Sequence, residues 1–323
     1  MDGKPTKVRN VFIGLAISLC TIILVLAVLE FSSRMLFGSA IRYSYPSPSL
    51  WLMKPSQEGF TLPGKPLAAI NEQGFRGYPF TKRKAASQRI AFLGDSYAMG
   101  YGVGDNETIP LLLQQYLNAQ RKNVEVLNLG VPGYGHQQMV ALYKGIAQGF
   151  SPDVVILVTS EFNLLRQPAQ ADDHNLLQRF LRSILRRSTF AALMKPRFEN
   201  FRWLIFGNAQ QPASEGYQML WENDKLHFDD LAASVRENNR SLVIIPYIEK
   251  EREKEFLRWF QEWGSKKQDV LIVPNIFEAM EQYQQDHPEA VLQIPGDGHP
   301  TALANNITAA VVGQLILEKK LLG

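Results

Sequence analysis

Cysteine is almost absent from this sequence. Its 323 residues include a single cysteine, Cys20, which excludes a disulfide within the chain and a cysteine-based metal site. Histidine is scarce too, with five residues. The formal net charge is only +3 and no nucleic-acid-binding motif is present, so the sequence does not predict a nucleic-acid partner. The remaining composition, 46% hydrophobic and 20% charged, is that of a globular protein and disfavours low-complexity disorder.

The chain begins with one long hydrophobic run. Val11–Leu29 contains no charged residue. At about 1.5 Å per residue, a helix of this length covers the roughly 30 Å hydrocarbon core of a bilayer. The run lacks the polar face that a core helix of this length normally shows. Residues 1–35 are therefore predicted to form an uncleaved membrane anchor. The alternative is a cleaved signal peptide, for which Phe37–Ala40 is only a weak cleavage site.

Charges on both sides of this run suggest its orientation. Lys4, Lys7 and Arg9 precede it, whereas Arg34 and Arg42 follow it. The slight bias of positive charge towards the N-terminus favours a cytoplasmic N-terminus. We therefore predict a single-pass membrane protein whose main domain lies in the periplasm or another extracytoplasmic space.

Residues 36–88 show little hydrophobic periodicity. They contain several prolines that forbid a long helix, namely Pro46, Pro48, Pro55, Pro63 and Pro66. We predict that this region is an extended juxtamembrane stalk that wraps onto the following domain.

From residue 89 to residue 323, short apolar segments alternate with helix-like segments. The predicted strands are Arg89–Leu93, Val124–Leu129, Val154–Thr159, Ser241–Pro246 and Val270–Val273. The predicted helices are Thr108–Gln120, Gln137–Gln148, Phe228–Asn238, Glu249–Trp263 and Ala302–Lys319. Strands that are apolar throughout and separated by helices indicate a parallel sheet buried on both faces. The predicted fold class is therefore α/β, a three-layer α/β/α domain with a central parallel sheet.

The alternation fails between about residues 165 and 216, which we interpret as an insert. Leu176–Arg197 within it is basic and amphipathic. An ordinary surface helix with a solvated face is the simpler interpretation. Binding to an anionic membrane and capping of a substrate cleft are the alternatives.

A serine follows the first predicted strand of the domain. Arg89–Leu93 leads directly into Gly94, Asp95 and Ser96. Sites in open α/β sheets form at the carboxyl ends of the strands, and Gly94 permits a tight turn there. A serine hydroxyl at this edge, just before a helix, is a candidate nucleophile.

Four blocks of sequence together resemble the SGNH (GDSL) hydrolase family. Leu93–Ser96 followed by Gly100–Val103 resembles its first block, and Asn128–Gly135 resembles its second. Asp297–Pro300 resembles the last block, and Asn71–Gly77 resembles a stretch that often precedes the first block in membrane-anchored members. The resemblance implies a flavodoxin-like SGNH fold and a serine hydrolase whose nucleophile is the serine of the first block.

His299 is the predicted general base for Ser96. A serine hydroxyl is a poor nucleophile until a base accepts its proton, and the family's last block places that base at His299. Asp297 is the predicted partner that holds the imidazole tautomer. The family commonly has two residues between the aspartate and the histidine, whereas this chain has only Gly298. A backbone carbonyl that orients His299 in place of Asp297 is therefore the alternative.

Three N–H groups are predicted to form the oxyanion hole, which stabilises the negative charge on the ester carbonyl oxygen. They are the backbone N–H groups of Ser96 and Gly133 and the side-chain amide of Asn163, and the family's second block implies Gly133. Its third block usually reads Gly-x-Asn-Asp, and only Asn163 matches here, because Glu161 and Leu164 take the other places. Three interpretations of Glu161 stay open: it binds a cationic group, it influences the base, or it points outward.

The sequence thus predicts a membrane-tethered serine esterase that cleaves an acyl or acetyl ester of an envelope polysaccharide or lipid through an acyl-serine intermediate. An O-acyltransferase would use the same site, with a sugar hydroxyl in place of water. The altered third block and the short Asp–His spacing support a further alternative, a catalytically silent accessory protein that binds glycan, whereas the retained Ser96, Gly133, Asn163 and His299 argue against it. A nucleotide-binding domain is disfavoured, because no Gly-x-Gly-x-x-Gly follows the first strand and no Gly-Lys-Ser/Thr is present. No metal or organic cofactor is implied.

Overall fold

A computed structural model describes residues 4–44, 50–166, 184–185, 188–194, 214–247 and 254–322. The chain divides into two units. One comprises Met1–Ala40 with His174–Asn208, and the other comprises Ile41–Asp173 with Ala209–Gly323. All the residues predicted to carry the chemistry belong to the second, larger unit.

The smaller unit is built on one long helix, α1 (Lys4–Phe37). Its segment Arg9–Phe37 is long and apolar enough to cross a membrane, and a signal sequence near the N-terminus passes the same test. Apolar side chains such as Leu15 and Leu24 are more than half exposed along it. Water disfavours so large an apolar surface, whereas a bilayer accommodates it.

The carboxylate of Glu30 connects α1 to residues 188–190 of the same unit. Its Oε2 accepts hydrogen bonds from the Ser188 hydroxyl at 2.7 Å and from the Phe190 N–H at 3.0 Å. Its Oε1 accepts from the Thr189 N–H at 3.0 Å and from Arg34 Nε at 2.6 Å. Glu30 therefore satisfies the first N–H groups of the helix at residues 189–194, which the helix itself leaves unpaired.

Residues 41–44 and 50–80 are part of the larger unit. They form two short antiparallel strand pairs, β1 (Tyr43–Ser44) with β2 (Leu52–Met53) and β3 (Gln57–Phe60) with β4 (Leu67–Ile70). Met53 and Ala68 are fully buried, and Ile70 is nearly so. This part of the segment predicted to be a stalk therefore contributes its own strands and buried side chains to the domain.

The centre of the larger unit is a five-stranded sheet in the order β6-β5-β7-β8-β9, and every neighbouring pair is parallel. The strands are β5 (Gln88–Gly94), β6 (Val124–Gly130), β7 (Val154–Ser160), β8 (Ser241–Tyr247) and β9 (Val270–Ile272). The ends of each strand lie within one residue of the ends predicted from the sequence. The parallel sheet is therefore confirmed.

Helices cover both faces of this sheet. The helices described in the larger unit are α2 (Ser96–Met99), α3 (Ile109–Ala119), α4 (His136–Gly145), α5 (Glu161–Leu165), α6 (Ser214–Glu237), α7 (Lys254–Gly264), α8 (Ile276–Asp286) and α9 (Ala302–Glu318). Ala91 and Leu93 belong to one hydrophobic cluster, and Ile90 and Phe92 belong to another. Because side chains alternate along a strand, the two clusters lie on opposite faces, which confirms the three-layer architecture.

Among the helices of more than ten residues, α6 and α8 differ most from the prediction. α6 starts at Ser214, well before the predicted start at Phe228. The prediction missed its first part because these residues are mostly polar and show little hydrophobic periodicity. α8 was not predicted, because it buries few apolar side chains, with Ile276 and Met280 buried. Apart from residues 184–185 and 188–194, the basic segment Leu176–Arg197 lies outside the described residues.

Arg76 joins the segment before the sheet to the loop that follows α2. Its side chain is only 1% exposed. Nε donates to Asp105 Oδ1 at 2.7 Å, and Nη2 donates to the Val103 carbonyl at 2.6 Å. Nη1 donates to the carbonyl of Gly100, the residue that ends α2. The guanidinium therefore fixes the loop behind the candidate nucleophile.

We expect Arg76→Met to lower the free energy of unfolding by about 3–5 kcal/mol, because it leaves the Asp105 carboxylate and buried carbonyls without their donor. Chemical denaturation of the full-length protein in detergent micelles measures this loss. Arg236→Met is the control, because Arg236 is 55% exposed and pairs with Asp269 at the surface. An exposed ion pair contributes only about 0–1 kcal/mol. Equal losses in the two variants would contradict the role assigned to Arg76.

Candidate active site

Ser96 lies at the carboxyl end of the strand β5. Asp95 caps the helix α2, since its Oδ1 accepts a hydrogen bond from the Tyr97 N–H at 3.0 Å. Ser96 is the first residue of α2 and is 7% exposed. Its backbone N–H is among the first N–H groups of the helix, which intrahelical bonds leave unpaired. The serine therefore occupies the edge of the sheet at which α/β proteins bind ligands.

The second block packs directly against the helix that carries Ser96. A Cβ atom on Gly130 would lie 2.2 Å from the backbone nitrogen of Met99, so only glycine fits at this position. The Val131 N–H donates to the Gly94 carbonyl at 3.1 Å. This close backbone contact holds the loop after β6 against the turn that precedes Ser96.

Asp297 and His299 form a hydrogen bond although only one residue separates them. Nδ1 of His299 lies 2.5 Å from Oδ1 of Asp297, and the His299 backbone N–H donates to the same oxygen at 3.2 Å. Gly298 has a φ of +89°, a conformation that favours glycine and allows this tight turn. The Asp297 carboxylate, rather than a backbone carbonyl, is therefore the partner of Nδ1 in this structure.

The pKa of the Asp297 carboxyl lies below its ordinary value. Partial burial raises this pKa, but hydrogen bonds from His299 and electrostatic interactions with His299 and Lys65 lower it by more. Asp297 is therefore a carboxylate at neutral pH, which can accept the Nδ1 proton and stabilise an imidazolium.

Two tyrosines that closely follow Ser96 in the chain pack against the imidazole of His299. The ring of Tyr97 meets it edge-on, with centroids 5.4 Å apart, and the ring of Tyr101 lies 4.6 Å away. Tyr97 follows Ser96 in the chain, and the Tyr101 N–H donates to the Ser96 carbonyl at 3.0 Å. The structure thus brings the predicted base to the helix of the predicted nucleophile.

Asn163 is buried, and its amide group is fully bonded. Nδ2 donates to Asp95 Oδ2 at 3.0 Å and to the Tyr134 carbonyl at 2.8 Å. Oδ1 accepts from the N–H and the hydroxyl of Ser160 at 2.7 and 3.1 Å. Asn163 therefore ties the third block to the first two. It can donate to an oxyanion only if one of its two Nδ2 bonds is released or shared.

Gly133 presents a backbone N–H that has no hydrogen-bond acceptor within the described part of the chain. The residue has a φ of +86°, in the region that favours glycine. The indole ring of Trp51 lies against it, because a Cβ atom on Gly133 would be 3.3 Å from Trp51 Cζ2. No local sequence pattern indicates this role for Trp51, which is far from Gly133 in the chain.

Arg166 is a second site residue that no sequence pattern predicts. Its Nη1 donates to Asp95 Oδ2 at 2.7 Å and to the Tyr134 carbonyl at 3.1 Å. The Asp95 side chain is 4% exposed, whereas that of Arg166 is 32% exposed. A buried carboxylate is costly without a partner, so Arg166 stabilises the charge of the residue that precedes Ser96.

A second acid–base cluster lies behind the site. His136 Nδ1 is 2.5 Å from Asp224 Oδ2, and its Nε2 is 2.5 Å from Thr159 Oγ1. A hydroxyl, an imidazole and a carboxylate in this order form a triad, but Thr159 is fully buried and His136 is 1% exposed. Substrate cannot reach this hydroxyl. The cluster instead connects α4 and α6 to the end of β7.

Glu161 is the first residue of α5, but its side chain lies outside the described part of the structure. Its three alternative roles therefore stay predictions. Within the described ranges, no group of three or more His, Cys, Asp or Glu side chains could hold a metal ion.

Comparison with known proteins identifies the family of the chain. Residues 92–307, more than half of its length, match the GDSL-like Lipase/Acylhydrolase family. The matched range includes the five residues predicted to form the site, Ser96, Gly133, Asn163, Asp297 and His299. No curated protein matches the chain.

Solved structures similar to this chain include three bacterial proteins of low sequence identity. A lipolytic G-D-S-L family protein from Desulfitobacterium hafniense is 12% identical, with a TM-score of 0.44 over 71% of this chain and 99% of that one. The esterase EstA from Pseudoalteromonas is 14% identical, with a TM-score of 0.44 over 72% and 99% of the two chains. A lipase/acylhydrolase from Enterococcus faecalis is 13% identical, with a TM-score of 0.41 over 72% and 96%. On the extent of the family match, this chain belongs to the GDSL-like lipase/acylhydrolase family.

Proposed function

We propose that this protein is a membrane-tethered serine esterase that cleaves an acyl or acetyl ester of an envelope polysaccharide or lipid. The hydrogen bond between Asp297 and His299 carries the proposal, because it gives the imidazole an acid partner and fixes its tautomer. Ser96 is the proposed nucleophile, since its neighbour Tyr97 packs against the same imidazole. Membership of the family supports ester hydrolysis in general terms.

In the proposed reaction, Ser96 Oγ attacks the carbonyl carbon of the ester while His299 Nε2 accepts the hydroxyl proton. Asp297 accepts the hydrogen bond from Nδ1 and stabilises the imidazolium. His299 then gives its proton to the departing alcohol as the ester C–O bond breaks, which leaves an acyl group on Ser96. Water attacks this acyl group and loses a proton to His299. The acid departs, and His299 returns the proton to Ser96.

The oxyanion is proposed to bind the backbone N–H groups of Ser96 and Gly133. The Gly133 N–H is unoccupied within the described residues, which supports this role. Asn163 is the third proposed donor, and its amide must then exchange a bond to Asp95 or Tyr134 for one to the oxyanion. The expected contribution of one such donor is about 10²- to 10³-fold in kcat.

The tether is proposed from α1 and from the charges around it. Its apolar stretch is long enough to span a bilayer. A cytoplasmic N-terminus would place the catalytic domain outside the cytoplasm. Polysaccharides and lipids of the envelope are the ester-bearing molecules within reach of a domain fixed there.

A fluorophosphonate probe and a series of p-nitrophenyl esters test the proposed function on the full-length protein in detergent micelles. We expect mass spectrometry to find the probe on the peptide that contains Ser96, together with turnover of the esters. A preference for acetate would indicate deacetylation, and a preference for long chains would indicate a lipid substrate. A folded protein with neither label nor turnover would contradict the proposal and favour the silent accessory protein.

A further inference from the structure

We propose that the indole N–H of Trp51 fixes the direction of the Gly133 N–H and so positions this donor for the oxyanion. The inference rests on the proposed function, in which the Gly133 N–H binds the oxyanion. Trp51 is then a positioning residue, because it acts through Gly133 rather than on the substrate.

Residues 131–134 form a tight turn after the strand β6. The Tyr134 N–H donates to the Val131 carbonyl at 3.2 Å, which closes the turn. Pro132 occupies the second position, and Gly133, with its φ of +86°, occupies the third. Proline followed by a glycine of positive φ is the pattern of a type II turn.

The middle peptide of such a turn decides where the Gly133 N–H points. The Pro132 carbonyl and the Gly133 N–H belong to the same planar peptide unit, and in a trans peptide they point in opposite directions. Type I and type II turns differ in the backbone angles on either side of this unit, so its rotation converts one into the other. Rotation would carry the Gly133 N–H away from its present direction. Glycine resists this rotation less than any other residue.

Trp51 holds this peptide unit through its carbonyl. The indole Nε1 donates to the Pro132 carbonyl at 3.1 Å. A bond that fixes the direction of this carbonyl therefore also fixes the Gly133 N–H, which points the opposite way in the same peptide unit. The indole ring also lies against Gly133, 3.3 Å from the position of a Cβ atom.

Trp51 is itself held in place by the next residue of the turn. The Trp51 carbonyl accepts a hydrogen bond from the Tyr134 hydroxyl at 2.5 Å, and the two rings meet edge-on with centroids 5.1 Å apart. Burial raises the pKa of the Tyr134 hydroxyl well above its ordinary value, so it keeps the proton that it donates. Trp51 and the turn at residues 131–134 therefore hold each other in place.

Trp51→Phe in the full-length protein tests this inference, because phenylalanine keeps an aromatic ring but lacks the indole N–H. We expect kcat for p-nitrophenyl acetate to fall about tenfold to a hundredfold, with KM nearly unchanged, because an oxyanion donor acts mainly in the transition state. The labelling rate of Ser96 by the fluorophosphonate should fall in parallel. We also expect faster amide hydrogen exchange in the peptide that contains Tyr134, because a turn that has lost the indole bond opens more often, and opening breaks the bond from the Tyr134 N–H to the Val131 carbonyl.

Trp259→Phe is the matched control, because Trp259 is also partly buried but packs against Trp221, away from the turn. It should change neither kcat nor exchange in the turn, whatever its effect on the melting temperature. Unchanged kcat and unchanged exchange in Trp51→Phe would overturn the inference. If the wild-type protein neither reacts with the probe nor hydrolyses esters, the proposed function fails. The exchange measurement alone then decides whether Trp51 holds the turn.

Discussion

Ser96→Ala is expected to abolish fluorophosphonate labelling and to lower kcat/KM for p-nitrophenyl esters by about 10⁴- to 10⁶-fold. The side chain lost is the proposed nucleophile, and no acyl-enzyme can form without it. A small residual rate is expected, because the backbone N–H groups of the oxyanion hole remain. Probe mass spectrometry and steady-state kinetics on the full-length protein measure both effects.

Ser234→Ala provides the control for this substitution. Ser234 has the same 7% exposure as Ser96, but it lies in the helix α6 and takes no part in the proposed site. The two variants remove the same hydroxyl from equally buried positions, so a difference between them reports chemistry rather than folding. If Ser96→Ala retained turnover similar to that of Ser234→Ala, the acyl-serine mechanism would be wrong.

His299→Gln is expected to lower kcat/KM by about 10²- to 10⁴-fold, because it removes the proposed general base. Asp297→Asn should also reduce activity, because the amide can donate to Nδ1 and so favour the tautomer whose Nε2 carries the proton. That tautomer cannot accept the proton of Ser96. The loss should be smaller than that of His299→Gln, since both side chains are 21% exposed and water can replace part of the missing bond. Steady-state kinetics at neutral pH measures both.

His287→Gln is the control for the imidazole, because His287 is exposed just after the end of α8 and its ring bonds to the carbonyl of the nearby Tyr283. A fall in its activity comparable with that of His299→Gln would contradict the assignment of the base.

The lowered pKa of Asp297 should make the stability of the protein depend on pH. A carboxyl whose pKa is lower in the folded than in the unfolded protein stabilises the fold above the unfolded pKa, which is about 4. This stabilisation is lost as the pH falls through the lowered folded pKa. The difference in melting temperature between the wild type and Asp297→Asn should therefore shrink as the pH falls below about 4. A difference that grew on acidification would contradict the direction of the shift.

The sheet was predictable because its signal is local. Each of its strands is a short apolar segment flanked by polar or turn residues, and the parallel arrangement follows from the helices between them. Ser96 and His299 could also be identified as candidates from the sequence, because short characteristic blocks surround them. The contact between Asp297 and His299 is local as well, although the sequence alone left a backbone carbonyl as an alternative to the carboxylate.

The supporting residues were not predictable, because their partners lie far away in the chain. Trp51 bonds to a residue 81 positions away, and His136 to one 88 positions away. Arg76 lies in one of the four sequence blocks that resemble the family. That block does not show, however, that its guanidinium binds backbone carbonyls of residues that follow Ser96. Asn163 was identified from its block, yet only the structure shows that its amide is already bonded.

If α1 anchors the protein in a membrane, as proposed, the bonds around Glu30 affect how the protein leaves that membrane. The weak cleavage site at Phe37–Ala40 follows Glu30 in the sequence, so a cut there would separate α1 covalently from the rest of the chain. Glu30 would still accept hydrogen bonds from Ser188, Thr189 and Phe190. Shedding would therefore require these contacts to break as well, and a protein cut at this site can stay attached to its own anchor without a peptide bond.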